Sequence, residues 1–127
     1  MLGYINCFNA VKLALIRKET YTFVRINRKN LLCLQLLLKY NVINGFKKIN
    51  FKEKEVFFVY LNTKYLWFNL KNLYKITNAQ SLKYYLMNQL QNKNTKTIYI
   101  FSTSKGLLNL QECINLKIGG VVLFRIN

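Results

Sequence analysis

The sequence predicts an α+β fold in two small packed lobes, each with helices against a short, mainly antiparallel sheet. The chain has 127 residues, of which 52% are hydrophobic, and this is enough apolar material for a core. Segments with helical spacing of apolar residues alternate with shorter runs that are typical of strands, and neither an internal repeat nor a low-complexity linker separates them. We place an N-terminal lobe at residues 1–70 and a C-terminal lobe at residues 71–127.

The N-terminal lobe is predicted to begin with a helix followed by a strand. From Asn6 to Arg17, apolar side chains recur at helical spacing, at Phe8, Val11 and Leu15 among other positions. From Tyr21 to Ile26, the side chains alternate in the manner of a strand. These patterns predict a short first helix with an apolar face, packed against the first strand.

A second helix is predicted from about Arg28 to Ile43. Asn27 is a suitable N-cap, because its side chain can accept a hydrogen bond from a free amide of the first turn. Asn44-Gly45 is a C-terminal stop signal, since both residues tolerate the left-handed conformation that ends many helices. Three strands are predicted to follow, at Phe46 to Phe51, Val56 to Leu61 and Tyr65 to Leu70. The charged residues Lys52 to Glu55 form the predicted turn between the first two.

The C-terminal lobe is predicted to alternate strands and helices. Asn109 and Glu112 have the spacing of a capping box for a helix that ends at Leu116, and Gly119-Gly120 is expected to terminate it. A final apolar strand follows the glycine pair. The preceding elements are predicted as a strand from Leu73 to Ile76, a helix from about Ala79 to Leu90, and a strand from Ile98 to Phe101.

The charge of the chain indicates a polyanionic partner. Twenty Lys and Arg residues against four acidic residues give a formal net charge of +16. A small protein with this charge density ordinarily binds nucleic acid. A gene rich in A and T would by itself increase the number of lysines, but it would not remove nearly all acidic residues. The most apolar segment, Leu31 to Leu38, is too short to cross a bilayer, so we expect no membrane span.

The chain offers little for catalysis or metal binding. It has no His and no Asp, so a histidine base is absent and the carboxylates are limited to four glutamates. Cys7, Cys33 and Cys113 are odd in number and widely spaced, which favours free, buried thiols over disulfides or a metal site. We therefore expect no enzyme activity, no cofactor, no metal and no small-molecule substrate.

One loop carries side chains suited to RNA, namely Ser102, Thr103, Ser104, Lys105 and Gly106. Short hydroxyl side chains donate and accept hydrogen bonds, so they suit ribose hydroxyls, phosphate oxygens and the shallow minor groove of RNA. The lysine adds a mobile positive charge, and the glycine permits a close approach. The same residues satisfy the S-x-x-K motif of penicillin-binding enzymes, but the chain has no Asp for the accompanying Ser-Asp-Asn element.

The region from Thr97 to Asn127 resembles, without gaps, the C-terminus of the family of the eighth protein of the small ribosomal subunit, in its bacterial and organellar form. The signature S-T-S-K-G is complete at residues 102–106, and Gly119-Gly120 stands at the expected distance. Asn44-Gly45-Phe46 and Tyr74-Lys75 match more weakly. The resemblance implies that the loop and the glycine pair face ribosomal RNA, and that the protein binds the central domain of small-subunit ribosomal RNA during assembly, beside neighbouring small-subunit proteins.

The chain also departs from the family pattern. Val121 stands where the family has a glutamate after the glycine pair, so a contact made by that carboxylate is missing. The usual Ser-Lys-Pro-Gly loop is replaced by Asn69 to Leu73, and roughly nine extra residues lie between Tyr74 and Ser102. These changes affect the secondary contacts that the resemblance implies and leave the central loop complete.

Other candidate RNA-binding residues lie outside the loop. Arg17, with Lys18, ends the first helix, where cations either contact RNA or stabilise the helix dipole. Arg28 and Lys29 begin the second helix, where cations oppose the dipole unless phosphate is near, so we favour RNA contact. Tyr74 either stacks on a base or sugar, as a family tyrosine does, or packs in the core.

The composition points to a very AT-rich genome. The chain has no Pro, His or Asp and three Ala, while residues with A- and T-rich codons, such as Asn, Lys, Ile, Phe and Tyr, are abundant. The start, Met1-Leu2-Gly3-Tyr4, does not have the pattern of an import signal. We expect an organelle-encoded protein of the mitochondrial matrix, in the mitochondrial ribosome, with a plastid or an AT-rich bacterium as the alternative.

The sequence thus predicts a structural RNA-binding component of a small ribosomal subunit. The leading alternative is a stand-alone basic protein that binds RNA or DNA, and a basic protein of a membrane surface is the third. Preference for an RNA stem over duplex DNA distinguishes the first two, and binding to liposomes tests the third.

Overall fold

The computed structural model describes residues 2–73, 81–82 and 97–127. The chain divides into two compact units, Leu2–Trp67 and Phe68–Asn127, each of which combines helix with antiparallel sheet. The predicted α+β class is therefore confirmed. None of the helices in these residues has the length and hydropathy needed to span a bilayer.

The unit Leu2–Trp67 contains two helices and a three-stranded antiparallel sheet. The strand order is β1-β3-β2, so β3 is central and the other two strands form the edges. In chain order the elements are α1 (Leu2–Ile16), β1 (Tyr21–Arg25), α2 (Arg28–Lys39), β2 (Ile43–Phe51) and β3 (Lys54–Leu61).

The core of this unit lies between the two helices and one face of the sheet. Alternation along the strands turns every second side chain toward the helices, and Val24, Phe57 and Val59 are buried there. From the helices, Phe8 and Leu34 are completely buried. The opposite face of the sheet therefore carries the remaining side chains of each strand.

The start of α2 is as predicted, but its end is not. The Asn27 side chain accepts a hydrogen bond from the Asn30 backbone N–H at 2.7 Å, which confirms the N-cap. The helix ends at Lys39 rather than near Ile43, and Asn41 adopts the left-handed conformation with φ of 61°. Asn44-Gly45 instead lies within β2, at an irregularity in its pairing with β3.

All three helices of the described residues end in the same way. After each helix, a non-glycine residue takes a positive φ: 58° at Lys18, 61° at Asn41 and 56° at Lys117. Its N–H and the next N–H bond back to carbonyls of the last turn, as at Lys18 and Glu19, which donate to Leu15 and Ala14 at 3.1 and 3.0 Å. This is the Schellman motif, ordinarily built around glycine.

We predict that Lys18→Gly stabilises the protein by about 0.5 to 1 kcal/mol, because glycine removes the Cβ that disfavours the left-handed region. The matched control is Lys12→Gly, inside α1, which should lose about 1 kcal/mol through poor helix propensity. Urea unfolding of both variants measures the difference. A loss of stability in both variants would show that the position does not favour glycine.

The hairpin between β2 and β3 turns at Lys52 and Glu53, which both have positive φ, of 49° and 65°. Two such residues form the type I′ turn that matches the twist of antiparallel strands. The predicted third strand from Tyr65 to Leu70 is wrong. Trp67–Asn69 forms a short 3-10 turn, and the next strand begins at Leu70 and pairs in the other unit.

The unit Phe68–Asn127 is built on a five-stranded antiparallel sheet with β8 at its centre. The strand order is β4-β8-β6-β7, and β5 also pairs with β8. In chain order the elements are β4 (Leu70–Asn72), β5 (Ser81–Leu82), β6 (Ile98–Thr103), β7 (Gly106–Asn109), α3 (Leu110–Leu116) and β8 (Gly120–Ile126).

Part of this unit differs from the prediction. Ser81–Leu82 is a strand paired with Val121 and Gly120, where a helix from Ala79 to Leu90 was predicted. Hydrogen bonding to the open side of β8 outweighs the helical spacing of the leucines at this point. The rest of that predicted helix, and residues 74–76 of the strand predicted at Leu73 to Ile76, lie outside the described residues.

The three cysteines are free and buried, as the sequence predicts. Cys7 and Cys33 lie between α1 and α2, where a hydrogen bond with Cys7 raises the pKa of the Cys33 thiol well above its usual value, and burial adds to the rise. The Cys33 thiol is therefore a protonated core group.

Candidate RNA-binding hairpin

The five-residue loop singled out in the sequence is the tip of the β6–β7 hairpin. Thr103 pairs with Gly106 across the strands, and Ser104 and Lys105 form the exposed turn between them. Gly106 has a φ of +100°, a conformation that side chains rarely adopt. The glycine is thus required by the turn itself, as in hairpins that follow a turn with a left-handed residue.

Thr103 holds the turn closed. Its hydroxyl donates to the Gly106 carbonyl oxygen at 2.8 Å and accepts from the Lys105 backbone N–H at 3.2 Å. One lone pair of the Thr103 oxygen stays available to an outside donor. The threonine predicted to contact RNA therefore acts first as a positioning residue for its two neighbours.

Ser104 and Lys105 are the exposed part of the hairpin tip. A serine hydroxyl both donates and accepts, and a lysine ammonium donates three hydrogen bonds as a mobile point charge. Ser102 lies one pair further from the tip, beside Leu107 on β7 and Val121 on β8. The tip offers hydroxyl and ammonium groups on a rigid support, which suits a backbone of ribose and phosphate.

The glycine pair supports the hairpin from β8. Gly120 is buried, and a Cβ at this position would lie 2.7 Å from the Ser102 carbonyl oxygen and 2.8 Å from the Thr103 Cγ2 atom. Only glycine lets β8 come this close to the base of the hairpin. Gly120, predicted as an RNA-binding residue, is therefore packed against two other predicted residues, and Gly119 precedes it between α3 and β8.

Val121 occupies the position at which the resemblance implied a glutamate. It pairs with Ser102 on β6 and with Ser81 on β5, and it is partly buried. A carboxylate at this position would stand beside the base of the hairpin. In this chain the neighbour of Ser102 is apolar, so hydrogen bonding at the hairpin depends on the tip.

The helix α3 packs behind the hairpin in a small apolar core. The predicted capping box is confirmed: the Asn109 side chain accepts from the Glu112 N–H at 2.8 Å, and the Glu112 carboxylate accepts from the Asn109 N–H at 3.2 Å. The helix ends at Leu116, as predicted, but it is capped by Lys117 and not by the glycine pair that was expected to terminate it. The core behind the hairpin consists of Phe101, Leu110, Cys113 and Val122.

The thiol in this core makes stability depend on pH. Burial raises the pKa of Cys113 from 9.0 to about 11, and the Glu112 carboxylate adds to the rise. Between these values the folded protein keeps a proton that the unfolded chain releases, so this thiol lowers stability as the pH rises. We predict that Cys113→Ala makes the decline of the free energy of unfolding between pH 9 and pH 11 less steep. Parallel urea-unfolding profiles for the two proteins would contradict this.

The remaining predicted RNA-binding residues belong to the unit Leu2–Trp67 or lie outside the described residues. Arg17 is exposed just after α1, and Arg28 and Lys29 are exposed in the first turn of α2. The Lys29 ammonium lies 5.8 Å from the ring centre of Tyr4 on α1. Tyr74 is outside the described residues.

The aromatic side chains on the open face of the first sheet were not among the predicted functional residues. A usable signal was present, because Tyr21 and Phe23 on β1 and Phe58 and Tyr60 on β3 each stand two residues apart. Such alternation places side chains on one face of a sheet.

Comparison with known proteins identifies a family whose model covers both units, including the hairpin. The model of the family described as Ribosomal protein S8 matches residues 5–127, which is nearly the whole chain. This chain belongs to the ribosomal protein S8 family. The resemblance drawn from the S-T-S-K-G signature is therefore confirmed, and it extends well upstream of the C-terminal region.

A relative of known name supports the S8 assignment. The chain is 33% identical over 97 residues to the small ribosomal subunit protein uS8 of Carsonella ruddii (strain PV), across 76% of this chain and 74% of the relative. An S8 family protein is a structural component of a ribosome rather than an enzyme. The exposed tip at Ser104 and Lys105 is thus a feature of a ribosomal protein.

Proposed function

We propose that this protein is a structural constituent of the small ribosomal subunit that binds the central domain of small-subunit ribosomal RNA and supports assembly of the subunit. The observation that carries the proposal is the hairpin tip, where Ser104 and Lys105 are exposed on a turn held by the Thr103 hydroxyl. Family membership supports the ribosomal role. The relative named as a small-subunit protein supports the choice of subunit.

The proposed contact combines shape and charge. Serine and lysine side chains at a closed turn reach ribose hydroxyls and phosphates in the wide, shallow minor groove of an RNA helix. The net charge of +16 supplies the sequence-independent attraction to phosphate. By clamping a folded helical region and neutralising its phosphates, the protein would allow neighbouring small-subunit proteins to dock.

We further propose that the host ribosome is mitochondrial. The support is the amino-acid usage of a very AT-rich gene, with abundant Asn, Lys, Ile, Phe and Tyr and no Pro or His. A plastid or an AT-rich bacterium fits the same usage. Mass spectrometry of small subunits purified from mitochondria of the source cells tests this location, and absence of the protein from those subunits would refute it.

The binding proposal is tested with a stem from the central domain of small-subunit ribosomal RNA and a DNA duplex of the same sequence. We expect preference for the RNA stem. Ser104→Ala should weaken stem binding by about 1 kcal/mol, the usual contribution of one hydrogen bond. Lys105→Gln should reduce the dependence of log K on log salt by about one unit of slope, because one phosphate contact is lost.

The matched control is Lys64→Gln, which removes an exposed lysine of the other unit. Circular dichroism and thermal unfolding confirm that each variant is folded. Equal affinity for RNA and DNA, or hairpin variants that bind the stem as tightly as the unmodified protein, would refute the proposed contact.

A further inference from the structure

The open face of the sheet in the unit Leu2–Trp67 carries a cluster of five aromatic rings. Four of these side chains expose 36% to 48% of their surface, and the fifth, Phe58, is half-buried among them. Their contacts show that they share one face of β1, β2 and β3. We call this set the aromatic face; its members are Tyr21, Phe23, Phe51, Phe58 and Tyr60.

The rings of the aromatic face form short stacks that can be extended. Tyr21 is parallel to Phe58, with ring centres 5.1 Å apart and an angle of 13° between the planes. Phe23 and Phe51 stack at 4.8 Å and 21°. Each pair uses one face of each ring. Since β1 is an edge strand, no strand of the sheet covers the side of Tyr21 that faces away from Phe58.

The charges on and around the aromatic face are mostly positive. The Lys47 ammonium lies 5.7 Å from the ring centre of Tyr60, and the Lys52 ammonium lies 5.3 Å from that of Phe51. Arg25 follows Phe23 by two residues on β1 and is exposed, and Lys54 pairs with Phe51 across the hairpin. Three carboxylates belong to the same part of the chain: Glu53 in the turn, Glu19 two residues before Tyr21, and Glu55, whose position on β3 alternates with those of Phe58 and Tyr60.

Aromatic rings on an open sheet face, bordered by cations, are the elements of single-strand RNA recognition. Unpaired bases stack on aromatic side chains, while nearby Lys and Arg side chains neutralise the phosphates between them. A protein partner for this face would need an acidic border, whereas an RNA strand has an aromatic base and an anionic phosphate at every position.

We propose that the aromatic face is a second RNA-binding site, which takes a single-stranded segment by stacking bases on Tyr21 and Tyr60. The cations Arg25, Lys47 and Lys52 contact the phosphates of the same segment. This site goes beyond the proposed function, since it lies on the other unit from the hairpin tip and takes unpaired rather than helical RNA. The protein would thereby hold a stem and a single strand at different places on its surface.

The test measures binding of a fluorescein-labelled twelve-nucleotide oligouridylate to the full chain at 150 mM salt, by fluorescence polarisation. We expect the double variant Tyr21→Ala/Tyr60→Ala to bind at least about tenfold more weakly, because each base stacked on a ring contributes strongly to affinity. The matched control, Tyr21→Phe/Tyr60→Phe, keeps the rings and should bind within about twofold of the unmodified protein. Arg25→Gln/Lys47→Gln should reduce the dependence of log K on log salt by a slope of about 1.4, because each phosphate contact to a single strand contributes about 0.7.

Crosslinking keeps the test decisive if the alanine variant is unfolded. A 4-thiouridine oligonucleotide irradiated with the unmodified protein should attach to peptides that contain Tyr21, Phe23 or Tyr60. Crosslinks confined to other peptides, or a folded alanine variant that binds the oligonucleotide as tightly as the phenylalanine control, would overturn the proposal. The aromatic face would then be assigned to a protein partner.

The two RNA sites are separable in the same experiments. Ser104→Ala/Lys105→Gln should weaken binding to the ribosomal RNA stem and leave oligouridylate affinity within about twofold. The tyrosine-to-alanine variant should bind oligouridylate more weakly and keep its affinity for the ribosomal RNA stem. A hairpin variant that binds the stem as tightly as the unmodified protein refutes the proposed function. A tyrosine-to-alanine variant that binds oligouridylate as tightly as the unmodified protein refutes this inference.

Discussion

Gly120→Ala is expected to lower the free energy of unfolding by about 1 to 3 kcal/mol, the usual range for overpacking a tightly packed site. The new Cβ would lie 2.7 Å from the Ser102 carbonyl oxygen, which is a backbone atom and cannot rotate away. It would also lie 2.8 Å from the Thr103 Cγ2 atom. Relief requires that β8 or the base of the hairpin moves, so binding to the ribosomal RNA stem should fall as well.

The matched control for this substitution is Gly45→Ala. Gly45 is also a strand residue, but no atom lies within 4 Å of its added Cβ, and its φ is not positive. We expect Gly45→Ala to change stability by less than about 1 kcal/mol, in the stabilising direction if the unfolded chain loses flexibility. Urea unfolding and stem binding of the two alanine variants provide the comparison, and similar values for both would contradict the steric explanation.

Thr103→Val is expected to weaken binding to the ribosomal RNA stem by about 1 to 3 kcal/mol, because it removes two hydrogen bonds that hold the turn, each with a net contribution of about 0.5 to 1.5 kcal/mol. Valine keeps the branched shape of threonine and removes the donor to the Gly106 carbonyl and the acceptor for the Lys105 N–H. Without these bonds the turn is no longer held in one conformation. The effect on RNA is indirect, through the positions of Ser104 and Lys105.

Thr103→Ser separates the hydroxyl from the methyl group. Serine retains the oxygen that closes the turn, so we expect this variant to bind the stem within about threefold of the unmodified protein, a difference under 1 kcal/mol. Amide hydrogen exchange at Lys105 supplies a direct readout of the turn, since the N–H is protected only while the side-chain oxygen accepts from it. Full protection in the valine variant would show that Thr103 does not hold the turn.

The parts of the fold that depend on neighbouring residues were predicted well from the sequence. The N-cap at Asn27 and the capping box of Asn109 and Glu112 both form as predicted, because a cap involves residues within one helical turn. The alternation from Tyr21 onward correctly predicted β1. Cysteine spacing likewise predicted the free, buried thiols, and the S-T-S-K-G signature indicated the family.

The errors have a common physical cause. The second helix was extended to Ile43 because glycine was expected at its end, whereas Asn41 takes the left-handed conformation by itself. Tyr65 to Leu70 was predicted as a strand of the N-terminal lobe, and Ser81–Leu82 as part of a helix, but both assignments depend on which strand edge is available. Pairing partners that are distant in the sequence are not visible in a local pattern.

The sequence by itself determined that the protein is a strongly basic α+β member of a ribosomal family, with a hydroxyl-rich loop. The tertiary structure alone decided the role of each residue at the hairpin. Thr103 closes the turn, Ser104 and Lys105 are exposed, and Gly120 on β8 lets that strand approach the base of the hairpin. The tertiary structure also brought five aromatic residues from three strands onto one open face. Composition and short motifs act over a few residues, whereas the close approach of Gly120 to Ser102, which leaves no room for a Cβ, exists only after the strands have paired.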